Sequence, residues 1–276
     1  MLEALAALLK AVLYGGVLSC AGVVFAAATL HASADIAAVA TRVVRRTALL
    51  TVVASTMSAL LLIVRLGGQW NEATLTAVFM SGSGAATGFQ LAGAGLLLAS
   101  LGVSTDHAMR VSNAAVMTLS FAFSGHAAAE GLFEGLVSAI HASAAAWWIG
   151  SLWLLRYACL SLKPVVAARM VRRFSVIATA VVGALVLAGF CLILILVDFA
   201  SLPSLSPYEC LLAGKLAIVG LVLCAAGYNR LRLTPRLLHG DPTTTLALRR
   251  MINVELALIG LVAAATAILT TYTSPA

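Results

Sequence analysis

The basic residues of this chain gather into three groups, and the stretches between them are apolar and long enough to cross a bilayer. The groups are Arg42/Arg45/Arg46, Arg156/Lys163/Arg169/Arg172/Arg173 and Arg230/Arg232/Arg236/Arg249/Arg250. Little interrupts the runs between them, because charged residues make up 10% of the chain, hydrophobic ones 62%, and mean hydropathy is +1.06. A hydrocarbon core about 30 Å thick needs roughly 20 residues of helix. Lipid offers no partner for backbone amides, so segments this apolar must be helical. The expected fold is therefore all-α, a polytopic membrane bundle forming a single membrane domain over residues 1–276.

Eight spans are expected, at 4–30, 47–66, 85–104, 108–125, 134–158, 174–197, 208–229 and 249–271. Glycines at 82, 84, 88, 93 and 95 blur the start of the third, and residues 71–81 read as a short interfacial helix or a re-entrant piece. The basic groups fall in the connections after spans 1, 5 and 7. The connections after spans 2, 4 and 6 hold Glu72, Glu130, Glu134, Asp198 and Glu209. Basic loops stay cytoplasmic, which predicts a multi-pass bacterial inner-membrane protein with both termini and the acidic loops in the periplasm. The net charge of +7 is then a topology signal and not a nucleic-acid face. No cleavable signal is evident, since no basic stretch precedes the first apolar run. The five cysteines form no CxxC pair, so neither a zinc site nor a disulfide framework is indicated. Most of them read as small packing residues.

Two local matches predict a parallel 4+4 duplication. TRVVRRTALL at 41–50 resembles ARMVRRFSVI at 168–177, and Arg110-Val-Ser-Asn113 resembles Arg250-Met-Ile-Asn253. Convergence on basic helix starts is the plainer alternative. A true repeat would favour a site between the halves, as in transporters built this way.

Ionisable groups inside a bilayer are costly, and their positions point to function. Lys10, His141 and Lys215 fall inside the outer ends of their spans, with His126, Glu130 and Glu134 in the short connection above. Glu134 and His141, seven positions apart, share one helical face. His126 and Glu130 would align if their loop turned helically. Imidazole is the commonest protein metal ligand and suits copper, and a thioether such as Met80 suits Cu(I). The candidate copper ligands are His126 and His141, with Glu130 or Met80 as a third. A hydrated outer cap, with His141 bonded to a neighbouring helix, is the alternative. Lys215 either answers a local acid or contacts substrate. Glu255, at the opposite boundary, is expected to pair with Arg249, Arg250, Arg172 or Arg173 as a brace or inner gate. At least one of Trp147, Trp148 and Trp153 should line a helix contact or cavity, and Gly150, Gly183, Gly189 and Gly214 should permit close helix approach. No arrangement of nucleophile and base indicates an enzyme.

Several motifs together resemble a known family. They are Ser124-Gly125-His126-Ala127, a span with His141 and Trp148-Ile149-Gly150, Arg173-Phe174-Ser175, Tyr208 with Gly214-Lys215-Leu216, Asn229-Arg230 ahead of Pro235, Arg249/Arg250 before Glu255, and the Pro-Ala ending. In this order they resemble the CopD copper-resistance membrane proteins over most of residues 120–276. Gly150-Ser151 departs mildly from the glycine pair of many relatives. The resemblance implies an inner-membrane protein handling copper, often beside a small periplasmic copper-binding protein, which here would be a separate chain. The reading is inward copper transport, passive or ion-coupled because no nucleotide motif is present. Its rival is a b-type haem or quinone-linked redox protein. His141 is the only histidine well inside a span and His31 lies at the other face, so a bis-histidine haem would need His126 to reach down. A structural subunit without substrate is a third possibility.

Overall fold

A computed structural model describes residues 1–30, 33–102, 106–197, 207–238 and 243–273, without the side chains of residues 127, 128 and 164. His31, Asp198 and the Pro-Ala ending lie outside the described residues. The elements are α1 (Leu2–Thr29), α2 (Ala34–Arg65), α3 (Glu72–Met80), α4 (Gly82–Ser100), α5 (His107–Leu119) continued by a 3₁₀ turn (Ser120–Phe123), α6 (His126–Glu130), α7 (Leu132–Ser161), α8 (Pro164–Leu196), α9 (Pro207–Tyr228) continued by a π turn (Asn229–Leu233) into α10 (Thr234–Leu238), and α11 (Thr244–Tyr272). No strand occurs among the described residues.

Among the described residues, six helices are long and apolar enough to span a membrane: α1, α2, α7, α8, α9 with its continuation, and α11. The two other expected spans are shorter rods. Glycines and Gln90 dilute the 19 residues of α4, and α5 has 13 residues before it tightens into the 3₁₀ turn. The helix ends also depart from expectation at the basic face. The arginine clusters are not loops but helix, since α2 begins at Ala34, α8 at Pro164 and α11 at Thr244. Arginine is a good helix former and carries its charge beyond the apolar stretch on a long stem, so nothing ends the helix at the lipid boundary. The 71–81 segment forms α3, whose cap Asn71 accepts from the Thr74 amide at 2.9 Å.

One cluster of buried side chains runs from Leu13 in α1 to Ile252 in α11. At its centre α1 crosses α7 at two glycines. A Cβ on Gly150 would stand 1.9 Å from the Gly22 carbonyl carbon, and one on Gly22 the same distance from the Ala146 oxygen. Only glycine lets the backbones approach this closely. Gly189 takes the His141 ring against it, whereas Gly183 and Gly214 have nothing within 4 Å and serve no close approach. Trp147 stacks on Phe174 and donates to Thr29 Oγ1 at 2.8 Å. Arg173 donates to the Thr29 carbonyl at 2.5 Å, so the end of α1 is tied to both α7 and α8. Trp153 is more exposed, facing outward. At the acidic end Arg65 pairs with Glu3, and Lys10 donates to the Thr270 carbonyl at 3.0 Å. All five cysteines are free.

Helix pairings in the second half follow those of the first. α1 lies on α2 as α7 lies on α8, α4 on α5 as α9 on α11, and α1 on α5 as α7 on α11. The halves differ in one place. α2 packs along α4, where Ser55 donates to Gln90 Oε1 at 2.9 Å and Gln90 to Ser120 at 3.4 Å. α8 meets α10 but has no comparable contact along α9. The paired asparagines also differ in setting, because Asn113 is buried while Asn253 is exposed and accepts from Arg156 at 2.7 Å.

Candidate functional site

At the acidic end the chain makes one isolated helical turn, α6, set between two glycines with positive φ, Gly125 at +87° and Gly131 at +158°. A side chain is strained at either position, and a Cβ on Gly131 would also meet Glu134 Oε2 at 2.6 Å. This turn presents His126 at its start and Glu130 at its end. The His126 ring stands edge-on to Tyr208 at the start of α9, with centroids 5.9 Å apart. Its Nε2 is buried and has no hydrogen-bond partner. Glu130 is exposed, Glu134 is half-buried at the start of α7, and Met80 is 82% exposed at the end of α3.

His141 lies deeper on α7, nine residues and roughly 14 Å of rise beyond its first residue. Its Nδ1 is 3.0 Å from the Leu185 carbonyl on α8. A carbonyl only accepts, so Nδ1 carries the hydrogen and Nε2 of the neutral ring holds the lone pair. That is how a ligating histidine is commonly oriented. Lys215, half-buried on α9, is near enough for its charge to act on this ring. The structure thus sets the two imidazoles at different depths. Among the described residues no three His, Cys, Asp or Glu side chains gather to hold a metal ion.

Toward the basic end, α7, α8, α9 with its π turn, and α11 enclose a cavity of about 280 Å³. Its walls are largely aliphatic, with Trp148, Asn229, Arg230 and Glu255 as the polar exceptions that matter. Glu255 is 2% exposed. The expectation of an arginine partner is corrected here: its carboxylate accepts from Asn229 Nδ2. Arg249 and Arg250 precede Glu255 by six and five positions, spacings that do not share a helix face, and Arg173 is engaged by Thr29. Trp148 Nε1 is directed at the same carboxylate without closing a hydrogen bond of ordinary geometry. Asn229 Oδ1 is buried and unpartnered. Arg230 reaches across to α8, donating to the Ser175 carbonyl at 3.0 Å and to Thr179 Oγ1 at 2.5 Å. Asn229 and Arg230 begin the π turn, and such insertions are frequent at functional sites. A second hollow, between α1, α5, α7 and α8, is wider at about 700 Å³ but has no charged residue in its lining.

Residues 168–269 match the family model CopD, copper resistance protein D. Over these residues the chain is similar to the CopD family. No curated protein matches the chain, and no solved structure does. The CopD segment covers most of α8 and runs through α9 and the π turn to Leu269 in α11, so it supplies Asn229, Arg230 and Glu255 but not the α7 side of the cavity. It also supplies Leu185 and Gly189, against which His141 is set. The chain is thus a multi-pass helical membrane protein, similar over residues 168–269 to the copper-resistance family. Reading the sequence singled out Glu255, named Asn229-Arg230 as a motif and expected one of the three tryptophans to line a helix contact or cavity, as Trp148 does, but it did not pair Asn229 with Glu255. An asparagine next to an arginine at the end of an apolar run was the available signal.

Proposed function

We propose that this protein carries copper inward across a bacterial inner membrane, with its acidic end and both termini in the periplasm and its arginine-rich end in the cytoplasm. Copper is the cargo. It enters at His126, at the mouth, and passes to His141 beneath it, with Glu130 and Met80 as the exposed ligands that receive it first. The observation that carries this reading is the buried Nε2 of His126, which has no partner within the protein. An orphaned buried imidazole nitrogen calls for an explanation, and a metal supplies one. His141 supports it, because the Leu185 carbonyl fixes its tautomer and leaves Nε2 as the donor. Imidazole nitrogen suits copper, and thioether sulfur favours its monovalent form. Glu134 adds negative charge at the mouth, and Lys215 stands near His141 as a positive charge that the cargo must pass. Glu255 lies on the inner half of the route. A periplasmic copper-binding protein would deliver the metal to the mouth.

Copper titration of the purified protein tests the entry site. His126→Ala and His141→Ala should each lower stoichiometry or affinity, while His239→Ala should not. Equal binding by the two variants and the unaltered protein under matched conditions would remove the site. A haem reading is not favoured, because no second imidazole is placed beside His141 among the described residues. A Soret band in the purified protein would reverse that judgement.

A further inference from the structure

The cavity among α7, α8, α9 and α11 presents polar atoms whose hydrogen bonding within the protein is incomplete. Trp148 Nε1 and Asn229 Oδ1 line it, lie in residues more than nine-tenths buried, and have no hydrogen-bond partner. Between them stands the Glu255 carboxylate, which accepts one well-formed hydrogen bond, from the Asn229 amide, with the Trp148 indole directed at it. Among the described residues that line the cavity, Arg230 is the other charged group, and its guanidinium is turned onto the α8 backbone and Thr179. α8 contributes Phe174, Ser175 and Thr179, α7 contributes Trp148, and neither adds a charge to the lining.

Donor, acceptor and carboxylate side by side do not match a bare cation or an anion. They match water, which gives and accepts hydrogen bonds and requires two to four polar partners. At about 30 Å³ per molecule, the roughly 280 Å³ available holds up to about nine. The position fits as well. Ser175 is two residues beyond Arg173, and Glu255 is five beyond Arg250, about 8 Å of helix rise. The cavity therefore begins just inside the arginine ring, at the level where lipid headgroups and water meet the protein. It exists because α8 and α9 do not close on one another as α2 and α4 do.

We infer that this cavity is a water-filled inner vestibule, in which a copper ion leaving the membrane interior is rehydrated beside the Glu255 carboxylate before it reaches the cytoplasm. The identity of the passenger rests on the copper-uptake reading; the hydration does not. Trp148 and Asn229 hold the innermost waters, the carboxylate offsets the charge of the ion, and Arg230 keeps the mouth in register with α8.

Spin labels placed at Ala178→Cys and Ala226→Cys test it, in full-length protein whose native cysteines are replaced by alanine, reconstituted in liposomes. Val186→Cys, on an outward face of α8, is the lipid control. Relaxation by a water-soluble paramagnetic reagent, relative to oxygen, should be several-fold higher at 178 and 226 than at 186. Equal ratios at all three positions would mean that lipid chains fill the cavity, and would overturn the vestibule. Hydroxyl-radical footprinting of the unmodified protein gives a second readout: Trp148 should oxidise despite its burial, and protection as complete as that of a dry core residue would also overturn it. Copper uptake into the same liposomes separates the two ideas. A dry cavity with uptake refutes the vestibule alone. A wet cavity without uptake upholds the vestibule and refutes the transport reading.

Discussion

Replacing Gly150 with alanine probes the contact on which the whole bundle is centred. The new Cβ would stand 1.9 Å from the Gly22 carbonyl carbon and 2.0 Å from its oxygen. Ordinary contact begins near 3.4 Å, so the two backbones would have to part by roughly 1.5 Å at their crossing. No flexible side chain is present to give way, because the obstruction is main chain. A radial gap of about 0.5–1 Å already forfeits a quarter to a half of each dispersion contact, and α1 on α7 is the most extensive helix contact among the described residues. Overpacking usually costs about 1–3 kcal/mol, and this geometry belongs at the upper end or beyond. The higher helix propensity of alanine returns up to about 1 kcal/mol. A net loss of about 2–3 kcal/mol lowers Tm by roughly 4–12 °C for a chain of this size. Tryptophan fluorescence melting in detergent should show that drop for Gly150→Ala. Gly88→Ala and Gly183→Ala, where nothing lies within 4 Å, should melt at or slightly above the unaltered temperature. A Gly150→Ala protein melting as the controls do would refute the close crossing of α1 and α7.

Glu255→Gln should leave copper binding at the outer histidines intact and reduce copper accumulation by cells, because the glutamine still accepts from Asn229 but no longer offsets the charge of the ion. Measuring Tm on the same variant separates a conducting role from a bracing one; normal uptake by a stable variant would remove Glu255 from the route. Asn229→Leu strips the carboxylate of its amide donor and should cost about 1–3 kcal/mol, the range for a buried group that loses its hydrogen bond, read as a loss of folded yield; Asn253→Leu, at an exposed position, should stay near the unaltered yield. Impermeant thiol labelling of single-cysteine variants should find residue 165 cytoplasmic and residues 68 and 130 periplasmic, and a cytoplasmic residue 130 would end the case for loading from the periplasm.

Much of the architecture was legible because a bilayer leaves so little choice. Residues such as those of α1 and α8 can only be helices in lipid, and alternating basic and acidic connections order them. Helix ends were not legible where arginines follow the apolar run, since the same residues that mark the boundary also extend the helix past it. α4 and α5 were hard to size because glycine, Gln90 and Asn113 weaken the apolar signal while serving interior packing. The depth of Glu255 was readable from its spacing behind Arg250, but its partner was not. Asn229 meets it from the first position of a π turn, and no short-range pattern announces that turn. The cavity was equally hidden, for it depends on α8 and α9 leaning apart. At the acidic end the sequence singled out His126 and His141, and the structure added what spacing lacks: one orphaned nitrogen and one fixed tautomer.

The central claim is that copper crosses this protein by way of those two imidazoles. Liposomes containing the purified protein, oriented by protease protection and given external copper, report this directly through the metal retained inside. Uptake should exceed that of protein-free liposomes and fall to the protein-free level in the His126→Ala/His141→Ala double variant, with His239→Ala unaffected. Uptake by the double variant equal to that of the unaltered protein would contradict the account.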